Sequence, residues 1–273
     1  MISESELRKF LDFNFGVSKD FRGKKCDIDL KLATDFHHKI LLTGYTLYYI
    51  FYPRPNDIFE KLTKRAVTYD FPSAYSLLRV VYEAYVNCYF ILFGAQSDSE
   101  KKYRILRWDI HELKERLKLL ETIKSSNPQI NEMKTDLDDL TNKLKSNDYF
   151  TNLKEKSRKE ILESNKWSKK NINEKAKSTE IHPTISEYLY KHTSNFIHSD
   201  PISIAQLHAA TTQEEIDILL DVPKKIIIMF TALSLDVLIR LSEDIKSVVT
   251  NNKEANDTVI LYKSLSKLKF DDI

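Results

Sequence analysis

"PSAYSLLRVVYEAYVNCYFILF", residues Pro72 to Phe93, decides the class of fold. Read at about 100° per residue, its apolar side chains cover almost the whole circumference, which suits a central helix rather than a surface one. Pro72 fits the first turn, where a missing N–H costs nothing. Arg79 and Glu83 are its only charged residues, four apart and so on one face. Helical periodicity continues outward on both sides. "SESELRKFLDFNF" opens with Ser3 and Glu6 at capping-box spacing and is expected to end at Gly16. A long helix is expected from about Asp27 to Tyr52, stopped by "PRP", and a short one near Asp57–Tyr69.

Downstream, "SDSE" (Ser97 to Glu100) is a second capping box that launches Lys101–Lys124, with Gln129–Lys145 as its hairpin partner beyond Pro128. A polar, basic tract follows over Leu153–Thr179. A helix after Pro183 runs to an Asp200-Pro201 stop, and the last core helix is expected to start near Pro223. No repeat and no alternating strand pattern is present, and 4 Gly and 7 Pro in 273 residues are too few for the turns of a sandwich or barrel. The expected class is all-α. It is read as a single helical domain over residues 1–273, with its core at about 27–94 and 183–247. A charged helical hairpin and the basic tract, about 97–180, are inserted in it.

A net charge of +2 argues neither for nor against nucleic acid. Cys26 and Cys88 make no disulfide framework and fit a reducing cytosol. The N-terminus has acids where a signal peptide needs bases and an apolar run. Ile40–Tyr52, Leu77–Phe93 and Ile226–Leu241 are each too short or carry charge (Arg79, Glu83, Asp236, Arg240) to span a bilayer, so a cytoplasmic protein with no membrane contact is expected. The adjacent His37 and His38 lack any metal-site spacing, and there is no Gly-rich phosphate loop and no G-x-S-x-G elbow. No metal and no cofactor are expected.

"YLYKHTSNFIHSDP" (Tyr188 to Pro201) carries the candidate site. Ile185, Leu189, Thr193, Phe196 and Ile197 share one arc, a core stripe. Glu187, Lys191, Ser194, Asn195 and His198 share the other: a cation, a hydroxyl, an amide and an imidazole that can trade protons near neutral pH. The plain alternative is a solvated face with His198 at a helix C-terminus, where a cation is favoured anyway. Arg79 and Glu83 bear on the choice. A charge pair in a core helix needs polar neighbours, because a broken buried pair costs several kcal/mol, on the order of 3–5. A helix presenting Ser194, Asn195 and His198 would supply them. The alternative there is an ion pair that only holds two helices in register.

These residues carry a resemblance. "SAYSLLRVVYEAYVNCYFIL", Trp167 with "INEKAKSTEI", and "YLYKHTSNFIHSDPISI" together resemble domain-of-unknown-function family five-six-seven-seven, an uncharacterised bacterial family, from about Leu62 to Leu207. The family's motifs map onto Arg79 and Glu83, and more loosely onto Tyr190, Ser194, His198, Ser199 and Pro201. Thr193 departs from the family's Leu, and the charged hairpin separates the two matched ends. The resemblance implies a compact helical bundle and transfers no activity.

A second likeness is to the HEPN ribonucleases of bacterial defence and toxin–antitoxin systems, whose signature is Arg, four to six residues, then His. "RILRWDIH" supplies it through Arg104 and His111, with a charged, solvated face as the plain reading; Lys191 and His198 mimic it with Lys for Arg. The likeness implies metal-independent cleavage through the 2′-hydroxyl, which needs a proton carrier and a cation for the phosphate. Between Lys154 and Lys177 nine bases face four acids, and Lys166, Trp167, Lys169 and Lys170 are the candidate nucleic-acid contacts. The alternative is a solvated connection with Trp167 packed inward. Three functions follow: a ribonuclease effector acting on RNA, a non-catalytic helical partner or neutralising subunit for another protein or a second copy of the chain (a homodimer), and a small-ligand enzyme using Arg79, Glu83 and His198.

Overall fold

The computed structural model describes residues 2–21, 26–53, 70–123, 127–197, 201 and 212–269. The regular elements among them are twelve α-helices: α1 (Glu4–Phe21), α2 (Ile28–Phe51), α3 (Phe71–Leu92), α4 (Asp98–Thr122), α5 (Gln129–Lys145), α6 (Asp148–Thr151), α7 (Glu155–Glu163), α8 (Ile172–Ala176), α9 (Pro183–Ile197), α10 (Gln213–Leu241), α11 (Glu243–Asn251) and α12 (Lys253–Leu265). The helix expected near Asp57–Tyr69 lies outside the described residues. Packing divides the chain into two compact units, Met1–Tyr89 with Thr179–Ile273, and Phe90–Ser178. No described helix is long and apolar enough to cross a membrane.

In the first unit α10 packs against α1, α2, α11 and α12. Ile227, Phe230, Ala232, Leu233, Leu235 and Leu238 are buried on successive turns, which is what a helix apolar on all sides requires. α3 adds Leu78, Val81, Tyr82 and Val86, all fully buried, and the Tyr82 ring meets Phe230 edge-on at 5.9 Å. Gly44 lets α2 come close to its neighbours. A Cβ there would stand 3.0 Å from Leu11 Cδ2 and 3.4 Å from Ile227 Cδ1. Ser3 and Glu6 close their capping box in both directions, at 2.8 and 3.2 Å. α1 does not end at Gly16. Val17 and Ser18 are buried on the stripe of Phe10, Leu11 and Asn14, so packing carries the helix on to Phe21.

The last core helix does not begin at Pro223 either. α10 starts ten residues earlier, where Thr212 and Glu215 form a reciprocal capping box, and runs through the proline. A proline inside a helix removes one N–H and frees the carbonyl four residues back. Here that carbonyl is Leu219 O, and the Tyr75 hydroxyl reaches it at 3.5 Å.

The second unit is built on the α4–α5 hairpin. Ile110, Leu144, Phe150 and Ile161 form its core, with Tyr103, Leu106, Leu137, Leu140, Leu153 and Leu162 packed around them. Ser97 caps α4 by accepting from Glu100 N–H at 3.1 Å. The return arm lands one residue early: Glu100 Oε2 accepts from Gln96 N–H at 2.8 Å, while Oε1 binds Arg104. The basic tract is folded, not a bare connection. It contains α7 and α8 and is tied to α4 through Arg107 and Trp167.

Candidate functional site

α3 and α9 face each other through Arg79. Its side chain is 11% exposed and that of Glu83 40%. The guanidinium donates from Nε to Glu83 Oε1 at 2.5 Å, and from one terminal nitrogen to Tyr190 O at 3.1 Å and Ser194 Oγ at 2.9 Å. It also lies over the Tyr190 ring, 3.9 Å from the centroid. The Ser194 hydroxyl donates to Tyr190 O at 2.6 Å, so its lone pairs are available to Arg79. One face of α9 thus holds one cation in a fixed orientation.

The polar arc expected on α9 divides. Ser194 turns toward α3, whereas Lys191 turns to solvent and pairs with Glu187 at 2.5 Å. That hydrogen bond and the Lys191 charge hold the Glu187 carboxyl below its ordinary range. Asn195 is half-buried. Ile185, Leu189, Thr193 and Phe196 are buried as a stripe, but Ile197, at the stripe's edge in the last turn, is exposed. His198, Ser199 and Asp200 lie outside the described residues. Of the expected site, the described structure brings together Arg79, Glu83 and Ser194, and adds Tyr190.

An aromatic group on the same two helices escaped the sequence reading. Tyr75 stacks on Phe196 at 4.5 Å, His192 stacks on Tyr188 at 5.0 Å, and Tyr75 meets His192 edge-on at 4.8 Å. Burial among these rings pulls the His192 imidazole below its ordinary pKa and favours its neutral form. The available signal was the spacing of Tyr188, His192 and Phe196, four apart along α9, with Tyr75 one turn before Arg79. Two cavities of the first unit, about 470 and 190 Å3, are not lined by Arg79 or Glu83.

Arg104 and His111 sit two turns apart on α4, and the first is not on a solvated face. Arg104 is buried, pairs with Glu100 at 2.6 Å, donates to Phe90 O, and lies 3.7 Å from the Phe90 ring centroid. Its charge is engaged inside the protein. The Nδ1 atom of His111 is buried with no hydrogen-bond partner.

In the basic tract, Trp167 packs inward, its ring 5.0 Å from Trp108 and 6.0 Å from Phe90. The buried Lys175 lies 3.8 Å over the Trp167 ring. A base could not stack on both faces of such an indole. Lys166 and Lys170 are exposed, and Lys169 is exposed but paired with Glu160. The excess positive charge therefore remains at the surface while the aromatic does not. Beneath it Arg107, 4% exposed, donates to Ile161 O at 2.5 Å, to Lys166 O and to Trp167 O at 3.4 Å. Burial lowers its pKa from the usual guanidinium value.

No curated protein and no solved structure matches the chain. The model of a family described as a family of unknown function (DUF5677) matches residues 62–216, a stretch that takes in Arg79, Glu83, the whole second unit and α9. That match covers more than half of the sequence, and the chain belongs to this family.

Proposed function

We propose that the protein is an RNA-cleaving, metal-independent endonuclease of the HEPN kind, acting in bacterial defence or a toxin–antitoxin pair. The observation that carries this reading is the clamp of Arg79 on Tyr190 O and on Ser194, a residue that precedes His198 by one helical turn's spacing in the sequence. In this reading His198 moves the proton of a 2′-hydroxyl or a leaving oxygen, and Arg79, with Lys191, offsets phosphate charge. Ser194 and Glu83 hold the guanidinium in place. The rival pair fits less well, because Arg104 and its partner Glu100 are both buried, with side chains 6% and 11% exposed, whereas Glu83 beside Arg79 is 40% exposed.

The test is cleavage of a fluorogenic RNA by the purified protein in the presence of a chelator, beside growth arrest on induced expression. His198→Ala should abolish both and leave the melting temperature nearly unchanged, whereas His111→Ala should retain both. Cleavage that survives His198→Ala, or that needs an added metal, overturns the reading. The second reading, a non-catalytic helical partner, is favoured by the engagement of Arg79 with groups of its own chain. It predicts growth effects independent of His198 and no RNA cleavage.

A further inference from the structure

The cleft of about 470 Å3 is walled by α1 and α12, and its least exposed lining residues, Phe10, Ile228 and Ala255, are apolar. Phe13 adds the face of a half-buried ring. Charged groups enter from both helices: Glu6 and Lys9 from α1, and Glu254 from α12. Glu6 and Lys9 are three apart, a spacing at which a helix usually closes an ion pair. Here Glu6 turns back onto the cap instead, where its Oε2 accepts from the Ser3 N–H at 2.8 Å and from the Ser3 hydroxyl at 2.6 Å. Lys9 is thereby left exposed, as is Glu254, and neither side chain has an ion pair or hydrogen bond among the described residues. The two walls feel each other across the cleft. Burial first, then the carboxylates of Asp221 and Glu6, push the Tyr262 phenol on α12 up to about 12, so it stays an uncharged part of the wall.

Size and chemistry together select a ligand class. A cavity of about 150 Å3 is enough to take benzene, so this cleft has room for a ring, a short chain and a charged head. A hydrocarbon would use the apolar wall and neither charge. An amine would suit Glu254 but bring a like charge to Lys9, and an acid would do the reverse. A zwitterion answers both, and Lys9 and Glu254 are long, solvated side chains that can turn to meet it. The rings of Phe10 and Phe13 favour an aromatic side chain over an aliphatic one, since ring pairs gain more than their buried area alone gives. We propose that this cleft binds a free aromatic amino acid of the phenylalanine type, its ring against Phe10, Phe13 and Ile228, its carboxylate on Lys9 and its ammonium on Glu254. This site is separate from Arg79 and does not depend on the ribonuclease reading.

The full-length protein is titrated into para-fluoro-L-phenylalanine, into para-fluorophenethylamine, which lacks the carboxylate, and into para-fluorophenylpropionate, which lacks the ammonium. Fluorine NMR line broadening gives the three affinities. The amino acid should bind about tenfold more tightly than either analogue, the order expected of one hydrogen bond to a charged group. Lys9→Met should leave the amino acid no better than the amine, and Glu254→Gln no better than the acid. Both positions are exposed, so both variants should fold as the wild type does. Thr258→Trp, which fills the cleft from a half-buried position, should abolish binding of all three. Absence of broadening in the wild type overturns the proposal, as does either analogue binding as well as the amino acid. A preference that survives Lys9→Met and Glu254→Gln, or binding that survives Thr258→Trp in a folded protein, places the ligand elsewhere and overturns it too.

Discussion

Replacing Arg107 by Met should loosen the second unit selectively. Arg107 is buried, has no ion pair among the described residues, and donates to three main-chain carbonyls of the basic tract. A buried acceptor left without a donor costs about 1–3 kcal/mol. Ile161 O and Lys166 O are close contacts and Trp167 O a longer one, so the loss sums to about 3–5 kcal/mol. Against this, the variant no longer buries a cation. That relief is of similar kind but smaller, because three carbonyl dipoles already solvate the guanidinium; a net loss of about 2–4 kcal/mol remains. The chain's two tryptophans, Trp108 and Trp167, face each other at 5.0 Å in this unit, so tryptophan fluorescence, excited where tyrosine does not absorb, reports on this unit. With a urea slope of about 1–1.5 kcal/mol/M for a unit of this size, the fluorescence midpoint should fall by about 2 M. Arg107→Lys should recover less than half of that, since a single nitrogen cannot reach three carbonyls that Arg107 meets through three separate ones. A midpoint unchanged or raised in Arg107→Met would show that the buried charge costs more than its bonds return, and the reasoning would fail.

Glu83→Ala should destabilise the first unit by about 1–2 kcal/mol, less than the 3–5 of a fully buried pair, because Glu83 is partly solvated and Arg79 keeps its bonds to α9. Arg79→Met should cost more, as it removes the hydrogen bonds to Ser194 Oγ and Tyr190 O as well as the ion pair with Glu83; equal thermal melts for the two variants would contradict this. Glu180 is a pH-sensitive tie: burial alone would raise its pKa, but hydrogen bonds from Arg240 and Lys267 and the Arg240 charge bring it down to about 2. Its folded value lies below the ordinary 4.5, so its contribution is present above about pH 4.5 and is lost as pH falls toward 2, and Glu180→Gln should flatten the acid limb of the stability profile between those values. If the second unit binds RNA, affinity should fall steeply with salt, and neutralising Lys166, Lys169 and Lys170 should reduce that slope by about 2–3 in a filter-binding series; a slope that ignores the substitutions assigns binding elsewhere.

Helix class and several ends were legible because they rest on neighbours in sequence. Ser3 with Glu6, Pro72 and Asp27, which accepts from Leu30 N–H at 2.7 Å, are local devices that work in isolation. Gly16 and Pro223 misled for the opposite reason. Each is a local stop signal overruled by distant packing: Val17 against the core, and Tyr75 supplying a donor from 144 residues away. The candidate site was legible to the same depth. Spacing alone foretold that Arg79 meets Glu83, and burial demanded a polar partner on another helix. Which residues of α9 answer that demand depends on the rotation of α9 about its axis, and so Ser194 turned inward while Lys191 did not. In the basic tract, counting charges could not tell the exposed Lys166 from the buried Lys175, because α4 decides which side faces out. The Arg240–Glu180 pair was invisible for want of any periodic relation between residues 60 positions apart.

The division of the chain has a consequence for synthesis. Tyr89, where the first unit leaves off, and Glu180, just after it resumes, are joined by a hydrogen bond of 3.0 Å, so the intervening polypeptide loops out from a closed gap. A ribosome delivers these parts in an awkward order. α1 to α3 emerge early with Tyr82 and Tyr85 still lacking α10, whose Phe230 their rings pack against. At translation rates of about 5–20 residues per second, roughly 150 further residues must follow, a wait of about 7–30 seconds. During that interval the looped-out unit, contiguous in sequence, is free to fold first, and the nascent N-terminal helices are the segment on which a chaperone would act.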